Sequence, residues 1–197
     1  MKAQRGRPRT FNPDEAVNSA QAVFWQHGYD ATSLNQLAEA VGLHKPSLYA
    51  AFGDKKALYL KAYDAYVAQA TAPLKKALTA PKLRDALTAF FNAGMDLFMA
   101  DGGRGCFMLT TAVPIASMMD EVAERIKETR ATLANALRVR LKTAQDAGEI
   151  KAEQDLWPLV SLLSSTHIAI AVRARSGESR ESLQATTKAA VDMVCGS

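Results

Sequence analysis

Cysteine is scarce in this chain: its 197 residues include two, Cys106 and Cys195. They lie far apart in the sequence and match neither the spacing of a metal-binding pair nor the disulfide framework of a small secreted domain. The sequence therefore predicts no structural metal site and no disulfide scaffold. A reducing cytosol suits such a composition.

Long hydrophobic runs are also missing. Charges are expected to interrupt each apolar stretch well before the ~20 residues that a bilayer-spanning helix needs, and no secretory type of segment opens the chain. With 48% hydrophobic residues, the chain still has enough apolar side chains to bury a core. We expect a globular protein of the cytoplasm, associated with the nucleoid and without a membrane partner.

Histidine is rare as well, and the three present, His27, His44 and His167, are scattered. No glycine-rich phosphate loop follows a strand pattern, and no Ser-His-Asp order comes with a supporting motif. The sequence thus predicts that the protein is not an enzyme and that it needs no cofactor.

Positive charge is concentrated in the first ten residues, which contain Lys2, Arg5, Arg7 and Arg9 and no acidic residue. Removing these 4 from the 24 basic residues leaves 20, which balances the 20 acidic residues of the chain. The rest of the chain is therefore neutral overall. We assign residues 1–11 to a flexible basic arm.

Helical periodicity dominates the remainder, and no stretch shows strand alternation or a repeat at a fixed period. Asn12 is a suitable N-cap, with Pro13 at the first helical position, for a helix that runs to about residue 27. A longer helix begins near residue 54, and Pro73 is expected to kink or break it. Further helices are predicted over about residues 83–99, 106–117, 119–147, 156–175 and 179–195. The fold class is therefore all-α.

Residues 32–56, TSLNQLAEAVGLHKPSLYAAFGDKK, contain two short amphipathic helical patterns that meet at Gly42. Ser33 and Gln36 offer a capping box for the first helix. The apolar positions continue through both patterns at Leu34, Leu37, Ala38, Val41, Leu43, Leu48 and Phe52. A helix-turn-helix places its second helix in a major groove. An ordinary helical hairpin has the same periodicity, so the pattern alone leaves both open.

The order of residues in GLHKPSLYAAFGDKKALY resembles the DNA-binding signature of the TetR family of bacterial transcriptional regulators. In that signature the recognition helix ends in Leu-Tyr and a Phe, before a Lys that opens the fourth helix. The match covers roughly residues 13–59, and the rest of the chain shows only the family's length and helix count. The resemblance implies a helix-turn-helix DNA-binding domain over residues 12–57 and a larger helical ligand-binding and dimerisation domain over residues 58–197.

The resemblance also implies which side chains contact DNA. Phosphate contacts are expected from Thr32 or Ser33, Tyr49 and Lys55, and base contacts from His44, Lys45, Pro46 and Ser47. A hydroxyl, a phenol and an ammonium can each donate to a phosphate oxygen. Lys45 can donate to guanine and Ser47 to several bases, whereas Pro46 offers only apolar contact. For His44, a role as helix cap is the alternative.

The arm sequence Gln4-Arg-Gly-Arg-Pro-Arg9 looks like the Arg-Gly-Arg-Pro core of AT-hook peptides. A narrow A·T minor groove concentrates negative potential and attracts arginine. We therefore expect Arg5, Arg7 and Arg9 to enter a minor groove, with a solvated tail as the alternative.

Cys106 suggests a second hypothesis. A thiol at a helix N-terminus beside Arg104 could have its thiolate favoured by the helix dipole and the charge, and it could then sense oxidants or electrophiles. A buried packing residue is the alternative.

Aromatic and methionine side chains follow the helix-turn-helix segment in number, and they fit either a ligand cavity or an ordinary core. The candidate ligand contacts are Phe91, Met95, Phe98, Cys106, Met108 and His167. For His167, a core or interface position is the alternative. No metal site is predicted.

In the family, the C-terminal domain binds an inducer and dimerises by pairing the last two helices with their copies as a four-helix bundle. The apolar faces expected to fit this role are Leu159, Leu162, Leu163 and Ile170, and Leu183, Val191 and Val194. The resemblance thus implies a homodimer.

The leading prediction is a sequence-specific homodimeric repressor that a small-molecule inducer releases from a palindromic operator in double-stranded DNA. Its two recognition helices would enter successive major grooves about 34 to 36 Å apart or a little more. Three alternatives stay open: a thiol-based redox or electrophile sensor acting through Cys106, a non-specific nucleoid-type DNA-binding protein, and a helical enzyme or scaffold.

Overall fold

The computed structural model describes residues 12–196, and every regular element in that range is helical. The α-helices are α1 (Pro13–Ala31), α2 (Leu34–Val41), α3 (Lys45–Phe52), α4 (Lys55–Ala77), α5 (Leu83–Gly103), α6 (Asp120–Asp146), α7 (Leu156–Arg175) and α8 (Arg180–Cys195). A π-helical turn (Met108–Ala112) and a 3₁₀ turn (Val113–Ile115) lie between α5 and α6. The predicted all-α fold is confirmed.

The chain forms two compact units, Met1–Ala65 and Tyr66–Ser197. The division lies inside α4, which contributes its first part to one unit and its remainder to the other. The boundary between the compact units follows residue 65, and the domains of residues 12–57 and 58–197 stay what the resemblance implies.

Local capping explains where the first helices begin. The Asn12 side chain accepts hydrogen bonds from the amides of Asp14 (3.0 Å) and Glu15 (3.4 Å). The amide of Gln36 donates to Ser33 Oγ, and Gln36 Oε1 accepts from the Ser33 amide, which completes the predicted capping box. Each cap satisfies amides that the first helical turn leaves without partners.

The core of the first unit is built from aromatic and leucine side chains of all four of its helices. Phe24 and Tyr59 are fully buried, with ring centroids 5.1 Å apart in an edge-to-face arrangement. Tyr29, which follows the non-helical Gly28, packs its ring 5.0 Å from that of Tyr59. Leu37, Leu48 and Phe52 supply the apolar faces of α2 and α3. Because Leu48 and Phe52 are packed into this core, the opposite side of α3 faces outward.

The second unit packs α5 against α7 and α8, and α6 against α7. Its fully buried side chains include Leu87, Phe90, Phe91, Met95, Leu163 and Leu183. Asp155 Oδ1 accepts from the Trp157 amide (3.0 Å), and Ser179 Oγ accepts from the Ser182 amide (3.3 Å), so the predicted starts of α7 and α8 are confirmed.

Pro73 does not break α4, which continues to Ala77. Proline inside a helix removes one backbone hydrogen bond and costs ~3 kcal/mol or more. Ala70, Leu74 and Leu78 are buried around it, and this apolar burial offsets the loss.

The segment predicted as a short helix over residues 106–117 forms the π-helical and 3₁₀ turns instead. Thr110 Oγ1 donates to the carbonyl of Cys106 (2.8 Å) and Thr111 Oγ1 to that of Phe107 (2.9 Å). Pro114 has no amide to donate. Side-chain competition for the backbone and the missing donor both disfavour a regular α-helix.

α7 is long and apolar enough to cross a membrane by length and composition, with a mean hydropathy of 1.3. The expectation that charges interrupt every apolar run is therefore wrong for this helix, which has no charged residue before Arg173. A core helix of a soluble protein can be equally long and apolar. In this protein 28% of the 18-residue apolar stretch of α7 is buried.

The faces expected to form the dimer bundle are also corrected. Leu163, Ile170, Leu183, Val191 and Val194 are buried within the protomer, so their side chains cannot contact a second copy. They face inward because α5 packs against both α7 and α8. Leu159 and Leu162 remain partly exposed.

Candidate nucleic-acid interface and ligand cavity

α3 presents a polar face beside a buried one. Leu48 and Phe52 face the core, whereas Lys45, Pro46, Ser47 and Tyr49 are exposed. Gly42 ends α2 in the left-handed conformation (φ 72°), and its amide donates to the carbonyl of Glu39 (3.1 Å). Glycine adopts this conformation at little cost. The predicted base-contacting residues therefore lie together on one accessible surface.

His44 precedes α3 but does not cap it with its side chain. Its backbone carbonyl accepts from the amides of Ser47 (2.9 Å) and Leu48 (3.0 Å), and the imidazole makes no capping hydrogen bond. His44 is therefore the N-cap residue of α3, as the alternative expected, and it caps through its backbone rather than its side chain. The exposed imidazole remains available to a partner.

Thr32 and Ser33 differ sharply in exposure. Thr32 is 2% exposed, and its hydroxyl donates to the carbonyl of Gly28 (2.5 Å). Its hydroxyl therefore lacks the accessibility that a phosphate contact requires, which corrects the expectation for Thr32. Ser33 is exposed, and its oxygen accepts from the Gln36 amide, so its own proton can serve a second acceptor.

Lys55 is held at the start of α4 by two contacts within the first unit. Its Nζ lies 3.3 Å from the carbonyl oxygen of Asp30 and 4.4 Å from the centroid of the Tyr29 ring. Partial burial lowers the pKa of Lys55, and the nearby Asp30 carboxylate opposes that shift. A cation in the first turn of a helix opposes the helix dipole, whereas the contacts with the Asp30 carbonyl and the Tyr29 ring favour the lysine.

Arg5, Arg7 and Arg9, predicted to enter a minor groove, lie outside the described residues. The described DNA-facing candidates are His44, Lys45, Pro46, Ser47, Ser33, Tyr49 and Lys55.

A cavity of about 660 Å³ lies within the second unit, among α4, α5, α6 and α7. Four of the six predicted ligand residues line it: Phe98, Cys106, Met108 and His167. Phe91 and Met95 do not. Both are fully buried and do not line this cavity, so as ligand contacts they stay predictions without support from its lining.

Sequence reasoning missed the contributions of the other helices to this cavity. Tyr66 and Leu74 enter from α4, and Trp157 and Ser164 from α7. Their periodicity marks them as ordinary helical positions. Only the packing of the helices shows that they share a cavity.

Cys106 lies in an apolar environment that disfavours its thiolate. Sγ accepts a hydrogen bond from the Tyr66 hydroxyl at 3.3 Å. Burial raises the pKa of Cys106, and this effect outweighs the hydrogen bonds from Tyr66 and from the amides of Leu109 and Met108. The amides at the start of the π-helical turn favour the thiolate, as expected, but the burial of Cys106 outweighs them, so the expected net stabilisation of the thiolate is wrong.

His167 is held between two aromatic rings. Its ring centroid lies 4.9 Å from that of Phe90 and 5.0 Å from that of Phe98. Burial lowers the pKa of His167 to about 4, because the apolar surroundings penalise the imidazolium. The side chain is therefore neutral at pH 7.

Comparison with known proteins extends over both units. A sequence model of the bacterial regulatory proteins of the tetR family matches residues 17–62, and a model of the tetracyclin repressor-like C-terminal domain matches residues 80–190. The HTH-type transcriptional repressor ComR of Escherichia coli (strain K12) is 33% identical over 186 residues, which cover 93% of this chain and 89% of ComR. The repressor BdcR of the same organism is 34% identical over 106 residues, or 53% of this chain and 54% of BdcR.

Solved structures agree with these relatives. A cysteine-substituted form of the TetR family transcriptional regulator CifR, complexed with 26-bp double-strand operator DNA, matches with a TM-score of 0.85 and 29% identity. The match covers 96% of this chain and 100% of that one. The resemblance of residues 13–59 is thereby confirmed and extended: the chain belongs to the tetR family of bacterial regulatory proteins and is a DNA-binding transcriptional regulator.

Proposed function

We propose that this protein is a homodimeric repressor of the cytoplasm that binds a palindromic operator and is released from it by a small-molecule inducer. The observation that carries the proposal is the exposed polar face of α3, next to the buried Leu48 and Phe52. The likeness to the repressor ComR supports the sign of regulation. The operator complex of CifR supports binding to double-stranded DNA.

Within this proposal the contacts divide by chemistry. Ser33, Tyr49 and Lys55 bind phosphates and set the register, since such contacts carry no sequence information. Base contacts come from the exposed residues around the start of α3: His44, Lys45, Pro46 and Ser47. Arg5, Arg7 and Arg9 add minor-groove contacts outside the major-groove site.

Selection of bound duplexes from a random pool tests the DNA function. We expect a pseudo-palindromic consensus, because a two-fold dimer places two identical helices on related half-sites. Tyr49→Ala should weaken retention of the selected duplex in a gel, whereas Lys151→Ala, at an exposed lysine of the second unit, should not. Equal competition by random DNA would contradict specific regulation.

The proposed dimer uses the outward surfaces of α7 and α8. Val172 is 54% exposed and Met193 is 73% exposed. An apolar helix that its own protomer covers only in part calls for a second surface. Continuous apolar character on α7 therefore supports pairing between copies rather than insertion into a membrane.

Sedimentation equilibrium tests this arrangement. Val172→Glu or Met193→Glu should reduce the mass from dimer to monomer, because each buries a charge in an apolar interface. Val139→Glu is a matched control, since Val139 on α6 is 52% exposed. A monomeric wild-type chain, or equal effects of all three changes, would contradict the proposed interface.

The inducer would act by binding two conformations of the dimer with different affinities. Its effect on operator affinity equals that difference and cannot exceed it. The cavity in the second unit is the proposed inducer site.

A further inference from the structure

Two polar side chains of α7 line the cavity, and each has one buried atom without a hydrogen-bond partner. Ser164 and His167 are three residues apart, so they lie on one face of the helix. Among residues 12–196, no group hydrogen-bonds to the buried Ser164 Oγ or His167 Nδ1. Buried polar atoms are paired in the great majority of cases. Two such exceptions, three residues apart on a helix that lines the cavity, indicate a polar patch that the protomer itself leaves incomplete.

The imidazole of His167 is positioned by packing alone. Phe90 and Phe98 contact its ring, and its Cε1–Nδ1 edge packs against Gly94 of α5, so a ligand in the cavity has to approach the ring from another side. A neutral imidazole offers one hydrogen-bond donor and one acceptor. A hydroxyl at Ser164 offers both as well, so the pair matches a ligand group that donates, accepts or does both.

The interior of the cavity carries no ionised group among its buried lining residues. Its buried polar members are His167, Tyr66 and Cys106, with Ser164, Thr71 and Thr129 partly buried beside them. Burial disfavours the charged forms of His167 and Cys106. The cationic lining residues, Lys127 and Arg130, are exposed, and Lys127 Nζ lies 3.2 Å from Glu124. A carboxylate placed beside Ser164 and His167 would lose its hydration without gaining an opposite charge.

We propose that this cavity binds an uncharged, mainly apolar small molecule whose single hydroxyl or carbonyl group hydrogen-bonds to Ser164 and His167. The volume of about 660 Å³ lies within the range of typical small-molecule sites, roughly 300–1,000 Å³. Aromatic and aliphatic walls bind the body of the ligand, and the polar pair selects its functional group. The regulatory consequence, though not the binding itself, rests on the proposed function.

Three matched probes test the proposal by titration calorimetry of the full chain at pH 7: naphthalene, 2-naphthol and 2-naphthoate. They share one apolar body and differ in carrying no polar group, a neutral hydroxyl or a negative charge. We expect 2-naphthol to bind about 3- to 10-fold more tightly than naphthalene, from one to two hydrogen bonds. We expect 2-naphthoate to bind at least tenfold more weakly than 2-naphthol.

Two variants assign the effect to the polar pair. Ser164→Ala and His167→Leu should each reduce the preference for 2-naphthol over naphthalene to less than twofold, while naphthalene affinity changes little. Thr88→Ala, at an exposed position of α5 away from the cavity lining, should leave all three affinities unchanged. If His167→Leu does not fold, Ser164→Ala carries the comparison by itself.

Three results would overturn the proposal: tighter binding of 2-naphthoate, equal binding of naphthalene and 2-naphthol, or no binding of any probe. Tighter naphthoate binding would assign the site to acids held by Arg130 and Lys127. Operator retention is measured separately. Binding of 2-naphthol without release of DNA would contradict the inducer mechanism but not the ligand class, whereas loss of DNA binding would leave the titration unaffected.

Discussion

Gly94 and His167 pack so closely that a methyl group on Gly94 would lie 2.8 Å from Cε1 and 3.0 Å from Nδ1 of the imidazole. Gly94 lies in the middle of α5, where glycine is destabilising by roughly 0.5–1 kcal/mol relative to alanine. Its presence there is explained by the ring that it accommodates. A residue that local helix propensity disfavours thus places a side chain in the wall of the cavity.

Replacing Gly94 with alanine should destabilise the protein by about 1–3 kcal/mol, because the added methyl group overpacks the contact with the buried imidazole. In a His167→Ala background the same change should instead stabilise the protein by about 0.5–1 kcal/mol, because the overpacking is gone and only the higher helix propensity of alanine affects stability. Urea denaturation of the four proteins measures both steps. A loss of similar size in both backgrounds would show that the imidazole is not what the methyl group meets.

Acid should destabilise the protein through His167. Its pKa is about 4 in the folded protein against about 6.5 in the unfolded chain, so the unfolded state binds the proton more tightly. The neutral imidazole therefore contributes its full share of stability above pH 6.5, and this contribution is lost as the pH falls towards 4. Between pH 7 and pH 4 the wild type should lose about 3 kcal/mol more free energy of unfolding than His167→Leu.

Thr88→Ala, a change at an exposed position without a titratable group, is the control for that experiment and should keep the wild-type pH dependence of unfolding. If the free energy of unfolding depended on pH equally in the wild type and in His167→Leu, the buried neutral state of His167 would be contradicted.

Lys55 and Lys45 should differ in what they contribute to DNA binding. Lys55→Ala would remove the proposed phosphate contact, so affinity should fall similarly for all sequences and the salt slope should decrease by about 1. Lys45→Ala or Ser47→Ala should change which bases are preferred, at a cost of about 1–3 kcal/mol at one position. Gel-shift titrations over a salt series, with single-base operator variants, separate the two. A uniform loss for all three variants would refute this division.

Deleting residues 1–9 should reduce affinity most for operators flanked by A·T pairs, where a narrow minor groove attracts arginine. The comparison uses one core operator with A·T or G·C flanks. Equal losses for the two flanks would indicate that Arg5, Arg7 and Arg9 contribute only their charge.

Cys106 should react slowly with alkylating agents in the native protein. It is buried, and burial raises its pKa, which lowers the thiolate fraction. Cys195 is less buried and should be labelled first by iodoacetamide at pH 7, as followed by peptide mass spectrometry. The two rates should converge in urea. Faster native labelling of Cys106 would revive the electrophile-sensor alternative.

Much of this fold follows from short-range chemistry. The N-caps Asn12, Ser33, Asp155 and Ser179 begin their helices where the sequence places them, because a cap depends on a side chain and an amide two or three residues away. Gly42 ends α2 for an equally local reason. The residue order around α3 likewise identified the family.

Exposure and shared cavities depended on the tertiary structure. Periodicity could not tell that Thr32 is buried and Ser33 exposed, or that Ser164 lines the cavity and Met95 does not. The exposure of a residue and its place in the cavity lining both depend on side chains that are distant in the sequence, for example where α5 packs against α7.

The sequence by itself therefore determined the helices, their caps and the family, since these depend on neighbouring residues and on residue order. Only the tertiary structure decided which side chains are accessible and which surround the cavity. It brought Gly94 against His167, and burial in that contact, rather than residue type, makes the imidazole neutral.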